Sequence, residues 1–273
     1  MKHKPNPLAQ LDANAVAQLN YPQSAKMKDR KRYYASVRSE VQGCTGCQLT
    51  TINETTPVPF RVEKGVRPRF VVVGEAPDAD EMARGKPFTG DTGKKLHALF
   101  RDAGLDWYDA LFCNTVSCMP TDDGVKMRGA KKPEIKACRS NLIAQIEAGY
   151  TPYVLLVGGK AMDAFRSDLT VTDHHGQCFI WLDSYFVMAV AHPESPRDVL
   201  REVVEDLKRW KQIVYGDDDP LKFLGQKCVK CGENAATWDR DGVPWCTKHH
   251  VKSQWRDDRE RFDGAINEQL RII

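Results

Sequence analysis

The sequence predicts an α/β protein whose central sheet is mostly parallel and is covered by helices on both faces. Four short apolar runs are typical of buried strands, and they lie at residues 69–73, 110–116, 153–157 and 185–190. Helical stretches separate these runs, which favours parallel pairing through helical crossovers. A chain of 273 residues is long enough for one such core with appendages.

Helices are expected between and beside these strands, at residues 26–41, 92–103, 132–148 and 197–214, with a short one after Gly159. Local signals support two of their ends. Gly104 is suited to stop the second helix, and Pro133 is suited to the first turn of the third. The stretch from Thr50 to Pro68 holds three prolines and is expected to be a loop.

Composition divides the chain into four parts. Residues 1–25 are expected to be a loosely ordered extension, and residues 26–216 form the predicted α/β domain. An acidic stretch ending in Pro220 marks a linker over residues 217–227. Residues 228–273 hold paired cysteines and tryptophans and are expected to form a small zinc module followed by a helix.

Charge and cysteine content limit the classes of function. The net charge of +3, from 40 basic and 37 acidic residues, is too small to argue for nucleic acid by itself. Basic residues do cluster within 1–42 and 126–139, where they could neutralise phosphates or simply form a solvated face. No apolar run suggests a membrane span or a secretory signal, so we expect a cytoplasmic protein. In that reducing compartment the nine cysteines favour metal over disulfides.

Polar side chains follow three of the predicted strands at their carboxyl ends. Glu75 follows the first strand, Asn114 ends the second, and His192 follows the last. The carboxyl ends of parallel strands form the edge at which open α/β sheets bind ligands, so we expect these residues to face one crevice. Structural alternatives remain for each, because Glu75 could cap the next segment and Asn114 or His192 could belong to turns.

Four motifs in this order resemble those of the uracil-DNA glycosylase superfamily, closest to its iron–sulfur family 4. They are Gly74-Glu75-Ala76-Pro77, Gly85-Lys86-Pro87-Phe88-Thr89-Gly90, Asn114 followed by Cys118, and His192-Pro193-Glu194-Ser195. The resemblance spans roughly residues 35–212. It implies a three-layer α/β/α sandwich and a DNA glycosylase that hydrolyses the N-glycosidic bond of a flipped uracil, leaving an abasic site.

The resemblance also implies roles for residues of the crevice. His192 would stabilise negative charge on base O2, and Glu75 would orient water or oppose the sugar cation. The implied substrate-binding residues are Gly74, Ala76, Asp78, Phe88 and Asn114. Phe88 would stack on the base, although a phenylalanine taken without its motif is more often a core residue, and the amide of Asn114 offers a donor and an acceptor to the base edge.

Two departures from the family pattern bear on the substrate. Asp78 stands where glycine is usual, near the expected position of base C5. Its carboxylate could accept a hydrogen bond from a 5-hydroxymethyl group, which raises a C5-modified uracil as the substrate, or it could point to solvent. Residues 194–198 contain no obvious apolar wedge, so we expect weak duplex opening or a preference for single strands.

Two sets of cysteines predict two metal sites. Cys44, Cys47, Cys118 and Cys138 match the order in which family 4 enzymes bind a [4Fe–4S] cluster, and we expect the cluster to pin the basic loop 119–137 beside DNA. The Cys-x-x-Cys pair alone is shared with zinc and redox sites. The spacing of Cys228, Cys231, Cys246 and His249 is typical of tetrahedral zinc, with His250 as an alternative fourth ligand.

The function predicted from the sequence is therefore that of a monofunctional uracil-DNA glycosylase, since no motif places a lysine to form a Schiff base. We expect the protein to be a monomer that binds DNA. If residues 194–198 supply no wedge, the DNA is expected to be single-stranded. One alternative is a non-catalytic protein that captures a modified base or single-stranded DNA in the same pocket. Another is the processing of hypermodified bases.

Overall fold

The computed structural model describes residues 27–63, 67–182 and 185–216, together with two short strands at 237–238 and 244–245. The predicted extension 1–25, the linker 217–227 and the four proposed zinc ligands, Cys228, Cys231, Cys246 and His249, lie outside the described residues. In the part of the chain that is described, no helix is long and apolar enough to cross a membrane.

Five strands form one sheet in the order β2-β1-β3-β5-β4. They are β1 (Phe70–Gly74), β2 (Ala110–Asn114), β3 (Tyr153–Val157), β4 (Cys178–Trp181) and β5 (Tyr185–Val190). The four predicted strands are confirmed and are mutually parallel. β4 was not predicted, and it pairs antiparallel with β5 at one edge of the sheet.

The described residues contain eight α-helices around this sheet. They are α1 (Met27–Gln42), α2 (Leu49–Asn53), α3 (Ala79–Arg84), α4 (Asp91–Ala103), α5 (Lys132–Glu147), α6 (Gly159–Phe165), α7 (Val171–His174) and α8 (Arg197–Tyr215). The predicted helices are confirmed to within one residue at each end. The short helices α2, α3 and α7 were missed, and the stretch from Thr50 to Pro68 is therefore only partly loop.

Two apolar clusters lie on opposite faces of the sheet. Val71 and Val73 of β1 point into one cluster, with residues of α1, α5 and α6, while Phe70 and Val72 point into the other, with residues of α4 and α8. This alternation follows from the period of two along a strand, and it explains why β1 is apolar throughout. The predicted three-layer α/β/α sandwich is confirmed.

The sheet register brings the carboxyl ends of the parallel strands to one edge. Gly74 at the end of β1 is paired with Asn114 at the end of β2, and Val157 at the end of β3 is paired with Val190 of β5. Thr115 ties the first pair together, since its backbone N and its Oγ1 donate to the carbonyl of Gly74 at 2.8 and 3.0 Å. Residues that follow these strands therefore share one side of the molecule.

A further antiparallel pair is formed by β6 (Thr237–Trp238) and β7 (Pro244–Trp245). It lies in the sequence between the two pairs of proposed zinc ligands. Since those ligands are outside the described residues, the zinc site stays a prediction.

Candidate active site

A cavity of about 450 Å³ opens at the carboxyl edge of the sheet. Its lining residues follow β1, β3 and β5, and they are Glu75, Val157, Gly158, Gly159, Lys160, Asp163, Thr170, Val171, Thr172 and His192. The structure thus brings Glu75 and His192, which are far apart in the sequence, to one cavity. Its volume is in the range of small-molecule sites.

The Glu75 carboxylate is held by the loop that connects β2 to α5. The backbone N–H of Ala130 donates to Glu75 Oε1 at 2.7 Å. Gly129 passes so close that a Cβ there would lie 3.5 Å from Glu75 Oε1 and 3.7 Å from Cε of Lys160. Glu75 does not cap the following helix, because Asp78 is the N-cap of α3. The carboxylate is therefore positioned by a distant segment rather than by its own neighbours.

The His192 imidazole has one defined hydrogen-bond partner, the backbone N–H of Glu194, which donates to Nδ1 at 3.3 Å. An acceptor Nδ1 leaves the ring proton on Nε2, as assigned from this bond. Burial is the main cause that lowers the pKa of His192, while the carboxylates of Glu194 and Glu75 oppose this shift. A neutral imidazole with an Nε2–H donor suits the stabilisation of an oxyanion. His192 also begins a turn, since its carbonyl accepts from Ser195 N at 2.9 Å.

Gly74, Phe88 and Asn114 meet at the end of β1, next to Glu75. A Cβ on Gly74 would lie only 2.5 Å from Asn114 Oδ1 and 2.8 Å from Phe88 Cζ. Phe88 and Asn114 are both buried. Neither is among the lining residues of the 450 Å³ cavity, so the described residues place the amide and the ring beside it.

Phe88 has an unusual backbone conformation, with φ at 56°. A bulky residue rarely adopts this left-handed region, and such strain of about 1–3 kcal/mol is most often kept at functional sites. Gly93 accommodates it, because a Cβ there would overlap the Phe88 carbonyl. The ring packs against Phe112 with centroids 5.3 Å apart, so Phe88 also has a core contact.

A hydrogen-bond network joins Asp78 to the loop that carries Phe88. Asp78 Oδ1 accepts from Glu81 N at 2.8 Å, and Glu81 Oε1 accepts from the backbone N–H groups of Thr89 and Gly90 at 3.0 and 3.3 Å. Burial raises the pKa of Glu81, and the nearby Asp78 carboxylate adds to the shift. Asp78 is thus a helix cap with half-buried side-chain atoms, rather than a residue that points to solvent.

Two functional candidates were missed by sequence reasoning. Glu81 has a recognisable signal, because Asp78 followed three residues later by glutamate is a capping-box pattern. Lys160 lines the cavity, half-exposed, and its Nζ lies 3.4 Å from Asp163 Oδ2. The available signal was a lysine that follows two glycines directly after the buried strand β3.

The four predicted cluster ligands come together from three segments. Cys118 and Cys138 belong to one buried group, and the partly buried Cys47 and Ala76 pack against it. Cys44 adjoins it, since a Cβ on Gly46 would lie 3.5 Å from Cys44 Sγ and 3.9 Å from the carbonyl oxygen of Ala137, the residue before Cys138. All four cysteines are free thiols.

The thiol pKa values of this cysteine group indicate what kind of group it could hold. Burial, followed by the charges of Cys138, Cys47 and Cys44, raises the pKa of Cys118 to about 12, and burial raises that of Cys138 to about 11. Neighbouring thiols that disfavour each other's ionisation fit a site that a cationic metal would stabilise. Among the described residues no three ligands are arranged around a single metal ion. A [4Fe–4S] cluster spreads its four thiolates over separate iron atoms, so the donor set fits that group.

The two other described cysteines have a different setting. Cys113 and Cys178 are buried in the two apolar clusters, one in each, and burial raises the pKa of both thiols. Their interpretation as core residues is confirmed.

The fold and the cavity define the class of protein. It is a three-layer α/β/α sandwich with a candidate active site, which holds a carboxylate and an imidazole, at the carboxyl edge of the sheet. The chain belongs to the uracil DNA glycosylase superfamily, whose family model matches residues 62–208. This span includes Glu75, Phe88, Asn114 and His192, but not the Cys44–Cys47 pair.

Curated relatives agree with this assignment. The chain is 30% identical over 195 residues to a type-4 uracil-DNA glycosylase of Thermotoga maritima, covering 69% of this chain and 98% of that protein. It is 30% identical over 196 residues to a type-4 uracil-DNA glycosylase of Archaeoglobus fulgidus, covering 67% and 94%. A type-4 uracil-DNA glycosylase of Saccharolobus solfataricus is 32% identical over 125 residues, which cover 45% and 54%.

Proposed function

We propose that the protein is a monofunctional DNA glycosylase that hydrolyses the N-glycosidic bond of uracil flipped out of DNA and leaves an abasic site. It is a uracil-DNA glycosylase-type hydrolase by family and by its relatives. The observation that carries the proposal is that Glu75 and His192 face one cavity at the sheet edge.

We assign base recognition to Phe88 and Asn114, whose side chains meet at Gly74. An extruded base has to be received by a flat ring and read at its edge. Phe88 supplies the ring, and its position is held by Glu81 through the adjacent Thr89 and Gly90 amides. The Asn114 amide offers a donor and an acceptor, which match O4 and N3 of uracil.

Cleavage separates charge between the sugar and the departing base. His192 donates its Nε2–H to base O2, where the negative charge develops, and it can do so because Nδ1 is already an acceptor. Glu75 opposes the oxocarbenium-like sugar or orients the attacking water. The Ala130 amide fixes the carboxylate for either task. One preorganised donor of this kind is typically worth about 3 to 4 kcal/mol of barrier.

A C5-modified uracil is the narrower substrate hypothesis. Oδ1 of Asp78 accepts a hydrogen bond at the start of α3, whereas the second carboxylate oxygen, Oδ2, lies beside Gly90. Matched oligonucleotides that carry uracil or 5-hydroxymethyluracil decide this point. Equal or faster excision of plain uracil would reject the hypothesis.

We also propose that Cys44, Cys47, Cys118 and Cys138 hold a [4Fe–4S] cluster with a structural role. Bound there, the cluster supplies positive charge and cross-links the segments before α2, after β2 and within α5. Ala76 packs against the same group, so the cluster would support the Gly74–Pro77 turn. Serine substitution of Cys138 should lower the iron content and the melting temperature together.

The remaining proposals rest on sequence alone. Residues 228–273 are proposed as a separate zinc module, because the spacing of Cys228, Cys231, Cys246 and His249 suits tetrahedral coordination. DNA is the proposed partner of a cytoplasmic monomer. Metal analysis after mild chelation and light scattering of the full chain test the zinc and the monomer, respectively.

The central experiment incubates cluster-loaded protein with labelled oligonucleotides that carry uracil, hypoxanthine, xanthine or 5-hydroxymethyluracil, followed by alkaline cleavage. We expect strand breaks at uracil that disappear with Glu75→Gln and His192→Ala. Glu205→Gln is the matched control, since this carboxylate is exposed on α8 and pairs only with Lys208 among the described ion pairs. Binding of uracil DNA without any strand break would instead favour the DNA-capture alternative. Borohydride should trap no adduct, although Lys160 lines the cavity.

A further inference from the structure

We propose that Val125 and Met127, at the tip of the loop 119–131, form the wedge that enters the base stack beside the flipped nucleotide. The inference rests on the proposed glycosylase function, because only an enzyme that extrudes a base from a duplex needs a wedge. Such a wedge would let the protein act on double-stranded DNA. The proposal places the wedge in the loop 119–131 and not in the segment after His192.

The exposure of these side chains is the first observation. Val125 is 82% exposed and Met127 is 42% exposed, and together with Tyr108 they are the large apolar residues that the described part of the chain leaves exposed. Single exposed apolar residues are common and need no explanation. Two of them on one turn are a different case, because apolar side chains inserted between base steps are the usual means of unstacking DNA.

The turn that presents them is rigid. Asp123 Oδ1 accepts from the backbone N–H groups of Val125 and Lys126 at 2.9 and 2.8 Å. Thr121 Oγ1 accepts from the backbone of Asp123 and Gly124, and Thr121 also forms an antiparallel bridge with Met127. A turn whose backbone is already held in place loses less conformational entropy when its side chains insert.

The base of the same loop lies at the active site. Ala130 donates to Glu75, and Met127 lies only three positions before Ala130 in the chain. Three residues span at most about 11 Å. Since successive nucleotides of a strand are about 3.4 Å apart, the tip can reach the base steps that flank a nucleotide bound at Glu75.

The charges around the tip favour a nucleic acid. Lys126 stands between the two apolar residues, and within the described residues its ammonium has no carboxylate partner. Arg128 and Lys131, by contrast, are both paired with Asp122. An unpaired cation that flanks apolar side chains is suited to hold a phosphate while those side chains enter the stack.

The segment after His192 does not offer these features. Glu194 is exposed and paired with Lys95 at 2.9 Å, so this turn presents an acidic side chain. Among the described residues, that turn also presents no exposed large apolar side chain, whereas the loop 119–131 presents two.

The test compares wild type with the double variant Val125→Thr, Met127→Gln, whose side chains keep shape and length but are polar. Excision rates are measured on uracil in single-stranded DNA and in a duplex. We expect kcat/KM on the duplex to fall by at least about tenfold, since unstacking costs a few kcal/mol per step, while the single-strand rate stays within about twofold. Tyr108→Gln is the matched control and should leave both rates unchanged.

Two results would overturn the proposal. One is an unchanged ratio of duplex to single-strand rates, and the other is an equal fall on both substrates, which would mean that the tip supports the cavity rather than duplex opening. If wild type excises nothing, the proposed function fails separately. The wedge is then tested by 2-aminopurine placed next to uracil in a duplex, whose fluorescence should rise with wild type and not with the double variant.

Discussion

Gly74→Ala probes the group in which Phe88 and Asn114 meet. The new methyl would lie 2.5 Å from Asn114 Oδ1, about 0.9 Å inside the 3.4 Å at which ordinary contact begins, and 2.8 Å from Phe88 Cζ. Both neighbours are buried, so neither can move freely into solvent. Overpacking of this kind typically costs about 1–3 kcal/mol of stability. A displacement of about 1 Å in a substrate-positioning group can cost about 100-fold in rate.

The assay measures thermal unfolding and single-turnover excision of uracil on the same preparation. We expect the melting temperature to fall by roughly 2–12 °C, at about 2–4 °C per kcal/mol for a domain of this size, and the excision rate to fall about 100-fold. Gly43→Ala is the matched control, because Gly43 follows α1, does not line the cavity, and its Cβ would come no closer than 3.3 Å to the nearest atom, the carbonyl oxygen of Ser39. A Gly74→Ala protein with wild-type stability and rate would refute the reasoning about this contact.

Three further predictions concern charge and hydrogen bonds. Because burial lowers the pKa of His192 below its usual 6.5, the unfolded chain binds a proton there that the folded chain does not. Stability to urea should therefore fall as pH drops below about 6.5, and His192→Asn should reduce this loss. Lys160→Gln should lower the slope of log affinity against log salt by about 0.9 on duplex DNA, and an unchanged slope would exclude a phosphate contact. Glu81→Ala removes the acceptor of two backbone N–H groups and should cost about 1–3 kcal/mol in urea unfolding, whereas exposed Asp80→Ala should stay within about 0.5 kcal/mol.

Much of the fold was predictable because its strands carry strong local signals. Phe70 to Val73 are apolar on every position, which is typical of a strand buried on both faces. The convergence of Glu75 and His192 was also predictable, since residues after parallel strands share one edge. The edge strand β4 was not, because Cys178–Trp181 is only four residues long and adjoins β5 in the sequence.

The finer geometry of the site could not be predicted from local sequence patterns. The bond from Ala130 to Glu75 joins segments 55 residues apart, and no local pattern records it. Asp78 illustrates a second difficulty, since its carboxylate is compatible with a cap, a ligand contact or a solvated position until the neighbouring Glu81 amide is located. Lys160 was overlooked for a third reason, as an isolated lysine in a sequence with 40 basic residues carries little information.

The strand order has a consequence for biosynthesis. β3 inserts beside β1, and β5 beside β3, so the cavity gains its imidazole only after β5, the last strand of the five-stranded sheet to be synthesised. Pairing between segments so distant in the chain is slow compared with helix formation. A nascent or truncated polypeptide that ends before this strand lacks His192, so Glu75 and His192 can share one cavity only after β5 has joined the sheet.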